Sequence, residues 1–227
     1  MDSPVAQPVK CVLMETPVVE QPRELPVVAG DLALDFANTV DDPEGPERHD
    51  HVAGYAGLVA WSVRVTHLAP ASADRLLAKA HARPEEALAA LAQAHDLRAL
   101  LNDTFGEVAR SSGVVIPATW SRLRPYVAAS MEQAGLEKDG DKDGATLSWT
   151  WPESDRLDAP LWPVAQAAAA LLTGPHLQWV KQCAGCPWLF VDRSRNHGRR
   201  WCSMDDCGTH EKIRRYVSRR AQRRTTG

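Results

Sequence analysis

Four of the chain's five cysteines fall in one stretch, Cys183-Ala-Gly-Cys186 and Cys202-Ser-Met-Asp-Asp-Cys207, with fifteen residues between the two pairs. Thiolates at a tight turn can grip one metal ion, and a second such pair completes a tetrahedron, the geometry zinc accepts without electronic preference. The spacing points to one zinc ion on Cys183, Cys186, Cys202 and Cys207. Four thiolates leave no open coordination position, so the expected role is structural, with metal binding and folding coupled. Two disulfides are the alternative. They are disfavoured because no charged-then-apolar targeting segment opens the chain, so a cytoplasmic location and reduced thiols are expected.

The spacer must fold so as to bring the two pairs together. Trp188, Leu189, Phe190 and Val191 have strand propensity, and Asn196-His197-Gly198 is turn chemistry. The spacer therefore reads as a β-hairpin between the ligand pairs. Ser203 with Asp206 three residues on reads as a capping-box-like start for a helix from about Met204 to about Arg220, with Cys207 in its first turn. Turn, hairpin and helix in this order make a treble-clef-like arrangement.

Charge marks the same region. Residues 181–227 carry 12 Lys/Arg against 4 Asp/Glu, and residues 1–180 carry 14 against 25, so a net charge of −3 hides a basic tail on an acidic body. On the last helix Lys212, Arg215, Arg219 and Arg223 recur on one face, while Ile213, Tyr216 and Val217 are expected to turn inward. Arg195, Arg199 and Arg200 come from the hairpin. A segregated basic surface of this density is the electrostatic footprint of a polyanion site, with nucleic acid, duplex DNA first, as the expected partner. The candidate contacts are Arg195, Arg199, Arg200, Lys212, Arg215 and Arg219. They give backbone attraction and name no base-reading residue.

The pattern Cys183-x-x-Cys186, Trp188-Leu-Phe-Val-Asp-Arg-Ser-Arg195, Arg199-Arg-Trp-Cys-Ser-Met204 and Cys207-Gly208 resembles the CGNR zinc-finger family of bacterial proteins. The four letters of that name stand here as Cys207-Gly208-Thr209-His210, so Asn and Arg are replaced while the cysteine site is intact. Gly30-Asp-Leu-Ala-Leu-Asp-Phe-Ala-Asn-Thr-Val40 is similar to the start of the ABATE domain, the usual partner of this finger. The resemblance spans about residues 29–222 and implies a transcription regulator.

The whole chain, 227 residues and 44% hydrophobic, reads as mainly α with a small β-hairpin. We expect an arm over 1–28, a helical domain over 29–176 and the four-cysteine finger with its basic helix over 177–227. Five prolines, at positions 4, 8, 17, 22 and 26, favour extended chain in the arm, with an edge strand near Val9–Met14 and Cys11 as a bystander. Helices are expected over about Leu32–Val40 behind an Asp31 N-cap, then over His51–Val65, Ser72–His81, Pro84–Arg110, Pro117–Met131 and Pro160–Leu172. Alternation from Ala145 to Trp151 predicts a half-buried strand paired with Gly135–Lys138 across the turn Asp139–Gly144, which lacks the terminal Glu of a calcium loop. No apolar run approaches the ~20 residues of a membrane span. His49 and His51, beside Asp50, read as a solvated loop, and His197 and His210 as neighbours of the metal site.

Arg98 interrupts the apolar stripe Leu91, Ala94, Leu101, Phe105 and Val108, where an unpaired guanidinium would be costly. Asp35 is the expected partner, in a structural pair between two helices. The sharper alternative gives Arg98 and Asn38 a pocket for a small anionic effector. No phosphate loop, nucleophile elbow or zincin helix is present, so a non-enzymatic role is expected. Three functions follow: a DNA-binding regulator whose helical body senses an effector or forms a homodimer; an RNA or protein adaptor; and a ligand-binding, enzyme-like body with a purely structural finger.

Overall fold

The computed structural model describes residues 25–41, 48–66, 68–111, 117–138 and 147–225. The expected edge strand near Val9–Met14, Cys11 and the turn Asp139–Gly144 lie outside them.

The long helix α4 (Pro84–Ser111) is the axis. Pro84 suits a first helical position because its missing N–H would be unpaired there anyway. Ala87, Ala90, Ala94, Leu97, Leu101, Phe105 and Val108 recur at three- and four-residue steps and are buried. The short helix α1 (Leu32–Ala37) crosses against it, with Asp31 capping the Ala33 N–H at 2.9 Å. Five of its six residues are buried, so this is the central element of the core. Around the pair stand α2 (Tyr55–Val65), α3 (Pro70–Ala82), α5 (Pro117–Gln133) and α6 (Trp162–Thr173). Phe36 meets Trp61 edge-on, ring centroids 5.0 Å apart. Burying a side chain of this size contributes about 1.5–3 kcal/mol.

Three two-stranded antiparallel ladders complete the described fold: β1 (Val40–Asp41) with β2 (His49–Asp50), β3 (Gly135–Lys138) with β4 (Leu147–Thr150), and β5 (Val180–Gln182) with β6 (Leu189–Val191). The first shortens the expected helix over Leu32–Val40, which stops at Ala37. It also orders the expected loop, with His51 Nε2 2.8 Å from the Asp41 carboxylate. The second has the expected partner strand but not the expected burial. Leu136, Leu147 and Trp149 are exposed, because no described element covers that face of the hairpin.

The third ladder corrects the spacer. The hairpin does not lie between the ligand pairs; it straddles the first pair. Cys183 N–H donates to the Trp188 carbonyl at 2.8 Å, so the Cys183–Cys186 knuckle is the hairpin's own turn. No strand returns after Asn196–Gly198. The amides of Ser194 and Arg199 instead donate to the buried Asp192 carboxylate, which takes the place of a strand edge. Val180, Trp188, Leu189, Phe190 and Val191 belong to the same hydrophobic core as Leu34, Leu97 and Phe105.

Candidate metal centre and basic helix

Local backbone chemistry shapes the cysteine cluster. Gly185 N–H lies 3.4 Å and Cys202 N–H 3.2 Å from Cys183 Sγ, so backbone donors are aimed at that sulfur. Ser203 accepts the Asp206 N–H and starts a single turn of π-helix over Met204–Gly208, which holds Cys207 at the foot of α7 (Thr209–Thr225). All four sulfurs lie within 4.8 Å of one another. Cys186 and Cys202 are 3.6 Å apart, Cys202 and Cys207 3.7 Å. A disulfide requires ~2.05 Å. A tetrahedron with Zn–S bonds of ~2.3 Å has S–S edges of ~3.8 Å, so the donors present fit a closed four-thiolate site. The packing crowds four titratable sulfurs together. Burial, then the nearby Cys186 sulfur, pushes Cys207 up to about 12, and contact with Cys186 raises Cys202 as well, while the hydrogen bond with Cys202 brings Cys186 down to about 6. Thiols so crowded cannot all ionise without a positive ion among them.

A residue that the spacing did not single out organises the next loop. Asp192 has no exposed surface. It accepts from Lys181 Nζ at 2.7 Å, Ser194 Oγ at 2.6 Å, and the Ser194 and Arg199 amides at 3.0 Å each. Burial alone would raise its pKa, but the Lys181 and Ser194 hydrogen bonds hold it down at about 2. His197, at φ 46°, stacks flat on Trp179 with centroids 3.4 Å apart. The signal available in sequence was the Asp-x-Ser pattern, which favours a local turn bonded to its own backbone.

Among the candidate polyanion contacts, Arg199 also makes hydrogen bonds within the fold. Its Nη2 donates to the Val28 carbonyl at 2.9 Å and to that of Cys202, its Nε to Trp201, and its guanidinium lies 4.4 Å from the Phe190 ring centroid. It staples residues 25–30 to the finger, and its Nε and Nη2 donors are already engaged. Arg195 and Arg200 are exposed, the latter over the Trp201 ring. On α7, Lys212, Arg215 and Arg219 are exposed on one face, and Arg215 and Arg214 both pair with Glu211. The side chain of Arg223 lies outside the described residues. Ile213, Tyr216 and Val217 do not turn inward. They are 55%, 64% and 58% exposed, because the part of α7 that carries them packs on little of the described fold.

Asp35, Asn38 and Arg98 are not brought together in a pocket. Arg98 forms a two-pronged pair with Asp50, at 2.6 and 2.7 Å, and also donates to Thr39 at 3.1 Å. Asp35 instead accepts the Val28 and Ala29 amides at 3.0 and 2.9 Å. The ladder between β1 and β2 is what carries Asp50 to Arg98, and no helical periodicity announces it. Asn38 exchanges two hydrogen bonds with Leu189, its Nδ2 donating to the carbonyl at 2.8 Å and its Oδ1 accepting the amide at 2.9 Å. Trp188 Nε1 adds a bond to the Val40 carbonyl at 2.9 Å. These contacts dock the finger's hairpin on the body.

Two family models match the chain. The CGNR zinc finger matches residues 180–220. ABATE, described as "putative stress-induced transcription regulator", matches residues 30–175. No curated protein matches the chain. No helix among the described residues is long and apolar enough to cross a membrane.

Proposed function

The chain belongs to the ABATE family and carries a CGNR zinc finger, and from that premise we propose a regulator that binds duplex DNA through the finger and its basic helix. The proposed ion is zinc, held by Cys183, Cys186, Cys202 and Cys207. It supplies structure, fixing the foot of α7 against the knuckle, and no open position for chemistry. The observation that carries the reading is α7 itself. From Lys212 to Arg220 every residue is exposed, with Lys212, Arg215 and Arg219 on one face. A helix so presented can lie along a groove while its cations meet phosphates. Arg195 and Arg200 add charge on the loop between the cysteine pairs. Arg199 is left out, since its donors hold the finger together.

A gel-shift titration over a range of salt concentrations tests this, with duplex DNA against RNA of the same sequence. Each phosphate contact contributes about −0.9 to the slope of log affinity against log salt on duplex DNA. Charge reversal at Lys212 and Arg219 together is expected to weaken binding at every sequence and to flatten the slope by about two contacts. Tighter, salt-dependent binding of RNA would make the finger an RNA module. Affinity unchanged by the double reversal would move the interface off α7.

A further inference from the structure

A cleft of about 550 Å³ opens between the α2–α3 turn and the segment that runs from β4 to α6. Its volume falls within the ~300–1,000 Å³ of small-molecule sites. One wall is Leu32, Val65 and Leu68, apolar side chains left only half-buried. The facing wall is Trp149 and Trp151, two residues apart on an extended segment and therefore on the same side of it. Trp162 and Pro160, both buried, form the floor.

Two features define what would fit. The first is rigidity. Trp151 Nε1 donates to the Ser130 carbonyl at 3.1 Å, and Trp162 Nε1 to Asp158 at 3.3 Å, so two of the three indoles are fixed before any ligand arrives. A pre-set aromatic wall costs little ordering entropy on binding. The second is the charge balance at the rim. Arg75 pairs with Glu153 at 2.6 Å, and Ser72 bridges both. The Thr66 hydroxyl donates back to the Ser62 carbonyl. The charges at the mouth are thus already matched to each other, and a charged ligand entering the cleft would lose hydration without gaining a counter-ion.

We propose that this cleft binds a neutral, planar, apolar small molecule of one or two fused aromatic rings, stacked along Trp149 and Trp151. It is a different place and a different chemistry from an anion held by Arg98, whose guanidinium is occupied by Asp50. The proposal does not rest on nucleic-acid binding and is read without any nucleic acid present.

The test uses the full chain loaded with zinc and two fluorescent probes, neutral N-phenyl-1-naphthylamine and its sulfonated relative 1-anilinonaphthalene-8-sulfonate. Tryptophan is excited and probe emission is read by energy transfer. One saturable site for the neutral probe is expected, with at least 10-fold weaker binding of the sulfonate. Trp149→Ala removes one wall. Ala69→Phe, at an exposed position on the α2–α3 turn, fills the cleft from the side away from the hairpin. Each is expected to weaken the neutral probe at least 10-fold, with helical circular dichroism and zinc content unchanged. Arg110→Ala, in a separate cleft lined by Asn102, Asp103 and Trp188, is expected to change nothing. The proposal is overturned by absence of a saturable site, by equal or tighter binding of the sulfonate, by sensitivity to Arg110→Ala, or by binding that survives Ala69→Phe in a folded protein. That last result would place the probe on the exposed outer face of the hairpin.

Discussion

Asp35 and Asp192 are both buried carboxylates, and their surroundings push them in opposite directions. Burial raises Asp35 to about 6, against the pull of the Ala29 and Val28 amides, from an ordinary value of 3.8. Asp192 meets a cation, Lys181, and is held at about 2. The signs differ accordingly. A carboxyl with a raised folded pKa binds its proton more tightly when folded, so Asp35 adds stability as pH falls from about 7 through about 6 towards 4. Asp192 adds stability present above the ordinary carboxylate range and lost only as pH falls towards about 2. Asp35→Asn keeps an acceptor oxygen for the two amides and removes the charge. The difference in urea-unfolding stability between wild type and this variant should therefore change between pH 7 and pH 5, in favour of the wild type at the lower pH. A pH-independent difference would mean that Asp35 titrates normally. Arg98 belongs to the same scale. Its side chain and that of Asp50 are 10% and 11% exposed. Arg98→Met should cost about 3–5 kcal/mol by stranding Asp50, and adding Asp50→Leu should recover part of it. Adding Asp35→Leu to Arg98→Met should recover none by this route, since Asp35 does not touch Arg98.

The hairpin of β5 and β6 is the element on which body and finger meet. Its inner residues are apolar and its outer edge takes Ala29, whose carbonyl accepts the Val191 amide at 2.8 Å. Asn38 reads the backbone of Leu189 as a neighbouring strand would, with one donor and one acceptor. Asn38→Leu keeps the volume roughly the same but orphans two buried backbone groups, each costing about 1–3 kcal/mol. Faster hydrogen exchange at the Leu189 amide, with the helices of the body retained, is the expected signature. Unchanged protection at that amide would show that apolar packing alone docks the hairpin. Helix α7 is the contrasting element. Its apolar residues are exposed, so its position depends on the π turn at its foot.

At the scale of the whole chain, one hydrophobic core joins the hairpin at the cysteine site to the helical body. Loss of the metal should therefore be felt well beyond the cysteines. Cys202→Ser, or chelation of the wild type, is expected to release the metal and to lower the melting temperature of the helical signal in a single transition, because Trp188, Leu189 and Phe190 are among the residues covering α1 and α4. An unshifted helical melt in metal-free protein would show two independent folding units. The opposed charges of finger and body matter in the same way. The basic excess of residues 181–227 attracts a polyanion, while the acidic excess of the remainder repels it.

Local patterns in the sequence already determined several things. Four thiols at paired spacing specify a metal site whatever the surroundings, because the ion imposes the geometry. The Asp31 cap, the helical stripe of α4 and the pairing of Gly135–Lys138 with the strand before Trp151 are likewise local, set by periodicity and by one or two capping or turn residues. Only the tertiary structure decided which partner a polar side chain meets. Arg98 had to have a carboxylate, but both Asp35 and Asp50 are distant in sequence, and a two-residue ladder chose between them. Arg199 looks in sequence like its neighbours Arg195 and Arg200, yet the path of residues 25–30 across the finger turns it into a staple. The exposure of Ile213, Tyr216 and Val217 has the same origin. Periodicity shows that a helix has an apolar face, and only the direction in which the helix leaves the fold decides whether anything covers it.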